Sequence, residues 1–528
     1  MPRPSPWTPL VLCLFVAAPT RAAEPLHTRI DALIAAKAGK SPISAQADDA
    51  EFLRRVYLDL AGRIPSAAEA RAFLADKAPD KRTKLIDQLL AGPEYSQRMG
   101  EWFQQMFMER LGDNADWKKY LQASFAANKP FDQMTREVLR ADSRDAATKG
   151  ASFFMSKRLE NYGQNPVDYP ALTRDIGRLF LGVDLRCAQC HDHLFIDDYK
   201  QRDFQGLYAF VQNTYLPGKS STVGEKAMTK KVAFMSVFKK VEHETGPRLP
   251  GGKEMPIPTF DKGKEYVGPP NPKAGDPGEV KFSPLSELAK ELPQAENPLF
   301  VRNAANRLWF TLMGRGLVHP LDLHHKGNPP SHPELLALLA EEFAQHKFDM
   351  KYLLREIALS GTYQRSSVLP SGQKKSDPTL FLTALEKRVS AEQLLSSVLE
   401  ATGERTSAKP PAIEAARVKF LKAFANPRRE PEDEINPSLQ AALFVLNDAT
   451  VLSWLTPQSG NLIDRLDKIT DADKVAEELY LTVLTRLPSA EEKIEVADYL
   501  KKHADRRGVA LGHLAWALLA STEFCVNH

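Results

Sequence analysis

Prolines divide this sequence into two long helical stretches and one segment that cannot be helical. Eleven of the 38 prolines lie between Pro247 and Pro298. Proline lacks the backbone N–H that a helix interior needs, and its ring clashes with the preceding turn, so long helices cannot persist there. Residues 231–241 are rich in β-branched and aromatic side chains, which predicts a small β-hairpin, and residues 244–247 read as a turn.

Apolar residues at helical spacing mark both flanking stretches. Phe52, Leu53, Val56, Tyr57 and Leu60 recur at the spacing of one helix face. The same pattern predicts helices at 84–91, 93–111, 131–141, 168–186, 333–343 and 390–399.

Length and composition fit this division. The chain has 528 residues, of which 43% are hydrophobic and 26% charged, enough to bury more than one core and too apolar for a disordered chain. We predict a mainly α protein with helical domains at 24–216 and 297–528, joined by a β-rich, proline-rich insertion at 217–296. The formal net charge of +3 is too balanced for a nucleic-acid-binding surface, so we expect no nucleic-acid partner.

The segment from Tyr57 to Glu69 is echoed near the other end of the chain, from Tyr480 to Glu492. Both read Tyr-Leu, then Arg-x-Pro-Ser-Ala, then Glu. In the first copy, Ser66 with Glu69 predicts a capping box that opens a helix. Downstream, Leu89-Leu-Ala91 followed by Glu94-Tyr95 matches Leu518-Leu-Ala520 followed by Glu523-Phe524. A helix, a Pro-Ser turn and a second helix can recur by chance, but two matched segments in the same order favour a duplicated three-helix unit with a structural role.

Residues 1–23 have the pattern of a secretory signal peptide. A short basic start is followed by an apolar run of roughly ten residues and a small-residue end, and cleavage is expected after Ala22 or Ala23. That run is too short to cross a bilayer, which needs about 20 apolar residues. We therefore expect an extracytoplasmic protein, periplasmic or secreted, without a transmembrane segment.

The strongest chemical motif is Cys187-Ala-Gln-Cys190-His191, the Cys-x-x-Cys-His pattern of c-type haem attachment. Two residues between the thiols place both sulfurs on one side of a turn, where they can reach the two vinyl groups of a porphyrin. The following imidazole can then bind the iron as its axial ligand. Covalent attachment of this kind occurs outside the cytoplasm, in agreement with the predicted signal peptide. The motif predicts haem c, single-electron transfer and a redox partner protein.

Two other interpretations of this motif remain open. Cys187, Cys190, His191 and His193 offer four nitrogen and sulfur ligands within seven residues, a set that zinc would accept. The cysteines could also form a disulfide or a dithiol pair. In either case the protein would be a non-redox extracytoplasmic scaffold or binding protein without haem. An enzyme acting on secreted polymers is the weakest alternative, because no acid/base pair is recognisable.

A haem with two axial ligands would need a second one on its distal face. Met255, which follows the Gly-Pro-rich stretch 246–251, is the first candidate, and His243 is the second. The same stretch also fits a proline-rich surface loop, and a five-coordinate haem would need neither residue.

Four of the twelve histidines lie between His319 and His332. His324 and His325 with Asp322 could bind a metal ion. A polar stripe between Arg302 and Trp309 could bind an anion or a sugar, although a buried hydrogen-bonding network between helices is the commoner reason for such a stripe.

Two stretches resemble families of unknown function. The stretch from 52 to 65, the motif Cys187-Ala-Gln-Cys-His-Asp-His193 and Ala209-Phe210 resemble the planctomycete cytochrome-like domain. The stretch 297–309, together with 314–318, 328–336, Ser360, Tyr363-Gln364 and 390–395, resembles its usual partner, the planctomycete-specific domain. The resemblance implies a secreted protein and carries over only Cys187, Cys190 and His191 as haem-binding positions.

Overall fold

A computed structural model describes residues 24–141, 145–161, 164–217, 222–373, 376–407, 409–430 and 448–528. The predicted signal peptide, 1–23, lies outside these residues. Within the described residues, no helix is both long enough and apolar enough to cross a membrane.

The first part of the chain is helical, as predicted. Its α-helices are α1 Leu26–Ala38, α2 Asp49–Leu60, α3 Ala67–Ala75, α4 Lys81–Ala91, α5 Pro93–Met108, α6 Ala115–Ala126, α7 Phe131–Leu139, α8 Phe153–Arg158, α9 Tyr169–Leu181 and α10 Gln201–Val211. Single 3-10 turns lie at Lys149–Ser152 and Cys187–Gln189. The predicted capping box opens α3, since the Ser66 hydroxyl accepts from the Glu69 N–H and the Glu69 carboxylate accepts from the Ser66 N–H.

The segment that follows is built from short antiparallel pairs. The strands are β1 Thr214–Tyr215, β2 Gly224–Glu225, β3 Val232–Met235, β4 Glu242–Thr245, β5 Tyr266–Gly268 and β6 Glu279–Val280, and each odd strand pairs with the next. The hairpin predicted at 231–241 is β3–β4, with Val232 opposite Thr245 and Met235 opposite Glu242. The predicted turn at 244–247 is wrong, because Glu244 and Thr245 complete β4 and the chain reverses at 236–241 instead.

The remaining chain is again helical. Its α-helices are α11 Pro284–Glu291, α12 Pro298–Met313, α13 Pro333–Gln345, α14 Met350–Leu359, α15 Ala391–Thr402, α16 Glu404–Ser407, α17 Pro410–Phe424, α18 Ala449–Trp454, α19 Leu462–Asp467, α20 Ala472–Leu484, α21 Ala490–Lys502, α22 Arg507–Leu519 and α23 Thr522–Cys525. Strand β7 Lys387–Arg388 pairs with β8 Val526–Asn527. Further 3-10 turns lie at Pro272–Ala274, Pro378–Leu380 and Ala504–Arg506.

Two hydrophobic cores hold these helices. The main core collects side chains from residues 26–382 and Leu481, and in it Phe131 stacks on Phe300 with ring centroids 5.5 Å apart. The second core takes side chains from residues 389–524, together with Leu58 and Ile64. Residues 297–382 therefore share a core with the first part of the chain, and the predicted boundaries at 216 and 297 stay predictions.

The helix predicted at 168–186 is too long, because α9 ends at Leu181. Gly182 adopts φ +69°, and a Cβ there would lie 2.6 Å from His324 and 2.8 Å from Asn303. Only glycine combines this backbone conformation with so close an approach. The chain then bridges from Val183 to Leu323, so the cysteine motif follows an extended connection.

Candidate functional site

The cysteine motif forms a single turn that is held by contacts of its two middle residues, Ala188 and Gln189. Ala188 is fully buried in the main core, whereas Cys187 and Cys190 on either side of it are exposed and free. The Gln189 side chain accepts a hydrogen bond from Arg174 (2.6 Å), and its carbonyl accepts one from Gln205 (3.1 Å). Two helices, α9 and α10, thus hold the turn so that both thiols face outward.

His191 follows this turn with a defined tautomer. Its Nδ1 lies 2.6 Å from the Asp192 carbonyl oxygen. A carbonyl oxygen can only accept, so Nδ1 carries the proton and Nε2 carries the lone pair in the neutral ring. Ligating histidines in proteins usually have this arrangement, in which one ring nitrogen donates to a carbonyl and the other faces the metal. The half-buried ring packs against Phe238, with centroids 4.7 Å apart.

His193 has the opposite tautomer. Its Nδ1 accepts from the backbone N–H groups of Phe195 (3.1 Å) and Ile196 (3.0 Å), so the neutral ring carries its proton on Nε2. His193 therefore stabilises the turn after the motif, and Nδ1 would have to give up these two hydrogen bonds, or Nε2 its proton, before binding a metal. Within the described ranges, no three or more His, Cys, Asp and Glu side chains are grouped to hold a metal ion. The metal ligands predicted at His191 and His193 stay predictions.

Exposed apolar side chains surround the motif on the same surface. We call this set the apolar rim; its members, with their exposed fractions, are Leu194 (64%), Phe195 (90%), Met235 (51%), Val237 (57%), Phe238 (63%) and Val241 (52%). The β3–β4 hairpin brings four of them, because the Val237 N–H donates to the Cys190 carbonyl (3.2 Å) and the Gln201 amide donates to the Met235 carbonyl (3.2 Å). A cluster of this kind on a protein surface usually marks a binding site.

The predicted distal ligands lie elsewhere on the insertion. The backbone N–H of Met255 donates to the Pro247 carbonyl (2.8 Å), and its half-buried side chain packs against the main core. The Met255–Pro247 hydrogen bond lies beyond Thr245, the last residue of β4. The β3–β4 turn, whose Val237 contacts Cys190, is at the other end of the hairpin. His243 lies on β4 with its ring against Phe234, centroids 5.7 Å apart. The structure brings Cys187, Cys190 and His191 together without Met255.

A second feature, which sequence analysis did not predict, is a cleft of about 1160 Å³ lined by Val183, Tyr199, residues 249–252 and part of the histidine-rich loop, residues 319–332. The rings of Tyr199 and His325 meet at its wall, with centroids 5.6 Å apart. Burial, followed by the charges of Arg307 and Arg302, lowers the pKa of His324 to about 3, so this imidazole is neutral. The one sequence signal for this cleft was the histidine cluster itself.

Asp322, the third residue of the predicted histidine-loop metal site, is already paired. Its carboxylate accepts from Arg178 (3.1 Å) and from Arg307. The polar stripe on α12 has the structural role foreseen for it: Asn303 donates to the Leu179 carbonyl (2.9 Å) and Asn306 to the Val318 carbonyl (2.8 Å). These contacts fix the histidine-rich loop against α9 and the turn at Gly182.

Comparison with known proteins gives two family matches. Residues 29–215 match the model of PSCyt2, a protein of unknown function (DUF1549), and residues 286–415 match that of PSD1, a protein of unknown function (DUF1553). No curated protein matches the chain. No solved structure matches it either. The cysteine motif and its rim hairpin lie at the end of the first match and just beyond it. The chain is thus similar, in this order, to two protein families of unknown function.

Proposed function

We propose that this protein is an extracytoplasmic, c-type-cytochrome-like protein that carries single electrons through a haem attached to Cys187 and Cys190, with His191 as the axial ligand. The observation that carries the proposal is the His191 tautomer. Its Nδ1–H is held by the Asp192 carbonyl, which leaves the lone pair of Nε2 available to bind iron next to two exposed, free thiols.

The apolar rim supports the same occupant. A porphyrin is a large, flat and mostly apolar group, and covering exposed apolar surface stabilises a complex by roughly 25 cal/mol per Å². Phe238 already contacts the His191 ring, and Phe195 is the most exposed member of the rim. Haem would supply an iron that exchanges one electron with a redox partner protein. The chain's own residues would attach it, orient it and limit the access of water.

Covalent loading tests the proposal directly. The full-length chain is produced in a host that matures c-type cytochromes, and the denatured protein is analysed by absorbance and intact mass. We expect covalent haem in the wild type and none in Cys187→Ser/Cys190→Ser. Cys525→Ser is the matched control, because this cysteine, the remaining one outside the predicted signal peptide, is half-buried at the end of α23 and its loss should leave loading unchanged. An unloaded wild type beside a loaded control cytochrome would overturn the proposal and favour a disulfide or zinc.

The two histidines provide a sharper test of the axial ligand. His191→Gln should change the absorption spectrum of the loaded protein and its reduction potential, because it removes the iron-binding nitrogen. His193→Gln should leave the spectrum unchanged, since the His193 Nδ1 is occupied by backbone N–H groups. If His193→Gln altered the spectrum and His191→Gln did not, the ligand assignment would be wrong even with haem present. The same spectra on Met255→Leu show whether Met255 is a distal ligand.

A further inference from the structure

Arg98, in α5, is a buried cation, and two of its three guanidinium nitrogens lack a hydrogen-bond acceptor among the described residues. Its side chain lies among buried residues with only 5% of the residue exposed. Its Nε and Nη1 atoms are buried and have no hydrogen-bond acceptor in the part of the chain that the structure describes. A guanidinium stays charged in proteins, and buried charges are normally paired, so this arginine has an unmet need for an acceptor.

The carboxylates around Arg98 are already engaged. Asp59 accepts two hydrogen bonds from Lys387 (2.6 Å each), and Glu392 accepts from Arg110 (2.6 Å). Burial and the neighbouring Glu392 raise the pKa of Glu101 to about 7, so at neutral pH this carboxyl is ionised only in part. These carboxylates therefore lie near Arg98 without accepting a hydrogen bond from its Nε or Nη1 atom.

Arg98 lines a partly open cavity of about 120 Å³ whose wall residues carry both unmet donors and unmet acceptors. Gln105 Oε1 and Asn527 Oδ1 belong to residues of the same wall, and both oxygens are buried without a donor. Each amide NH₂ group is committed, since Gln105 donates to Glu392 (2.7 Å) and Asn527 donates to Asp59 (2.8 Å). The two orphan oxygens therefore cannot be satisfied by rotating the amides.

Among the described residues of this wall, the charge without a close partner is that of Arg98. Lys387 is paired with Asp59 (2.6 Å), and Arg388 donates to the Phe424 carbonyl (2.7 Å). A water-sized sphere takes about 10–15 Å³ of such space, so the cavity has room for a small polyatomic ion. Its occupant should be an anion that also carries an O–H group. The charged oxygen would accept from Arg98, and the O–H would donate to an amide oxygen.

We propose that this cavity binds a small protonated oxyanion of the hydrogen phosphate or bicarbonate type. Arg98 binds its charged oxygens, and its O–H group donates to Gln105 Oε1 or to Asn527 Oδ1; dihydrogen phosphate, which has two O–H groups, satisfies both oxygens. Sulfate, which has the same shape as phosphate but no O–H near neutral pH, leaves both amide oxygens unpaired. Sites of this kind reject an analogue that lacks the expected hydrogen-bonding group.

Titration calorimetry on the full-length protein in phosphate-free buffer tests this selectivity, with phosphate, bicarbonate, sulfate and chloride as ligands. We expect phosphate or bicarbonate to bind at least about tenfold more tightly than sulfate. Equal binding of sulfate, or no binding of either oxyanion, would overturn the proposal.

Arg98→Gln should weaken the binding of the selected oxyanion at least about tenfold, because it removes the charge that recognises the anion. Arg71→Gln is the matched control, since Arg71 is an arginine with a 54% exposed side chain outside this wall, paired with Glu478. An Arg98→Gln variant that binds as tightly as Arg71→Gln would contradict the assignment.

A crystal structure of the wild type grown with phosphate keeps the proposal testable if Arg98→Gln does not fold. We expect tetrahedral density within hydrogen-bonding distance of Arg98. A cavity that holds ordered water only would show that Arg98 is hydrated rather than bound to an anion.

Discussion

The repeated segments Tyr57–Glu69 and Tyr480–Glu492 each contain a turn between two helices. These two turns, which we call corners, share their contacts and differ in burial. In the first corner, between α2 and α3, Arg63 donates to Glu69 and Glu94 (2.9 Å each), and its guanidinium lies 5.2 Å from the centre of the Tyr57 ring. Its side chain is only 4% exposed. We call this the N-terminal corner.

The second corner, between α20 and α21, repeats these contacts one by one. Arg486 donates to Glu492 (2.8 Å) and Glu523 (2.6 Å), and its guanidinium lies 5.2 Å from the centre of the Tyr480 ring. Ser489 forms the same capping box with Glu492 that Ser66 forms in the first corner. The Arg486 side chain, however, is 32% exposed. We call this the C-terminal corner.

The difference comes from what covers each corner. The N-terminal corner lies against α15, where the Ile64 N–H donates to the Ser397 hydroxyl (3.3 Å) and Glu400 lies 3.8 Å from Arg63. Ile64 is fully buried, whereas Leu487 at the matching position is 60% exposed. A local sequence pattern therefore determines the contacts within the unit, and the surrounding helices determine how much free energy those contacts contribute.

The largest difference is expected on removing the arginine. Arg63→Ala removes a 4% exposed side chain that donates three hydrogen bonds to carboxylates and one to the Ile64 carbonyl, and it should lower the free energy of unfolding by about 3–5 kcal/mol. Arg486→Ala acts on a solvated network and should cost about 1 kcal/mol. Urea unfolding of both variants measures the two values. Equal losses would mean that burial does not separate the corners.

The apolar position after the arginine should separate the corners almost as strongly. Ile64→Ala removes a fully buried side chain of the second core and should cost about 2–4 kcal/mol. Leu487→Ala shortens an exposed side chain and should stay within about 0.5 kcal/mol of the wild type. Thermal unfolding of the pair gives the comparison, and a cost above 1 kcal/mol at Leu487 would reveal a contact partner for that side chain.

Acid should affect the N-terminal corner through Glu69. Burial opposes its ionised form, but the hydrogen bonds from Arg63 and from the Ser66 N–H outweigh it and lower the pKa of Glu69 from 4.5 to about 2. Because the folded-state pKa is depressed, this stabilisation is fully present above the unfolded pKa of 4.5 and is lost as pH falls through about 2. Since the Glu69 side chain is 36% exposed, we expect only about 1 kcal/mol.

Unfolding of Glu69→Gln between pH 2 and 7 checks this window. The wild type should lose stability relative to Glu69→Gln as the pH falls below about 4.5. In the C-terminal corner the hydrogen bond from Arg486 lowers the pKa of Glu492, so Glu492→Gln should show a dependence of the same sign. A flat difference between wild type and Glu69→Gln across this range would argue against an ionised Glu69 in the corner.

Most of the fold could be predicted because its information is local. Helical spacing located α2, and the Ser66–Glu69 pair located the start of α3. The end of α9 could not be predicted, because the close approach of His324 and Asn303 to Gly182 involves residues more than 100 positions away. The grouping of 297–382 with the first part of the chain is equally non-local, since Phe131 meets Phe300 only in the folded protein.

The candidate site likewise has parts that local sequence could predict and parts that depend on contacts between distant residues. Cys187, Cys190 and His191 are neighbours in sequence, so their proximity could be predicted. The apolar rim could not, because its hairpin residues become part of the site only through the Val237–Cys190 hydrogen bond. The different tautomers of His191 and His193 also depend on backbone partners that only the folded loop provides.

The two capping boxes should show no difference between the corners. Ser66→Ala and Ser489→Ala each remove a hydroxyl that accepts from the backbone N–H three residues later, at 3.2 Å in both copies. An N-cap serine contributes about 1 kcal/mol, mainly through this local bond, so burial of the neighbouring arginine should matter little. We expect the two losses to agree within about 0.5 kcal/mol in urea unfolding, near the usual agreement between independent sites. A much larger loss at Ser66 would show that the cap and the buried Arg63 act as one unit through Glu69, and the Arg63→Ala/Ser66→Ala double variant would then measure that coupling.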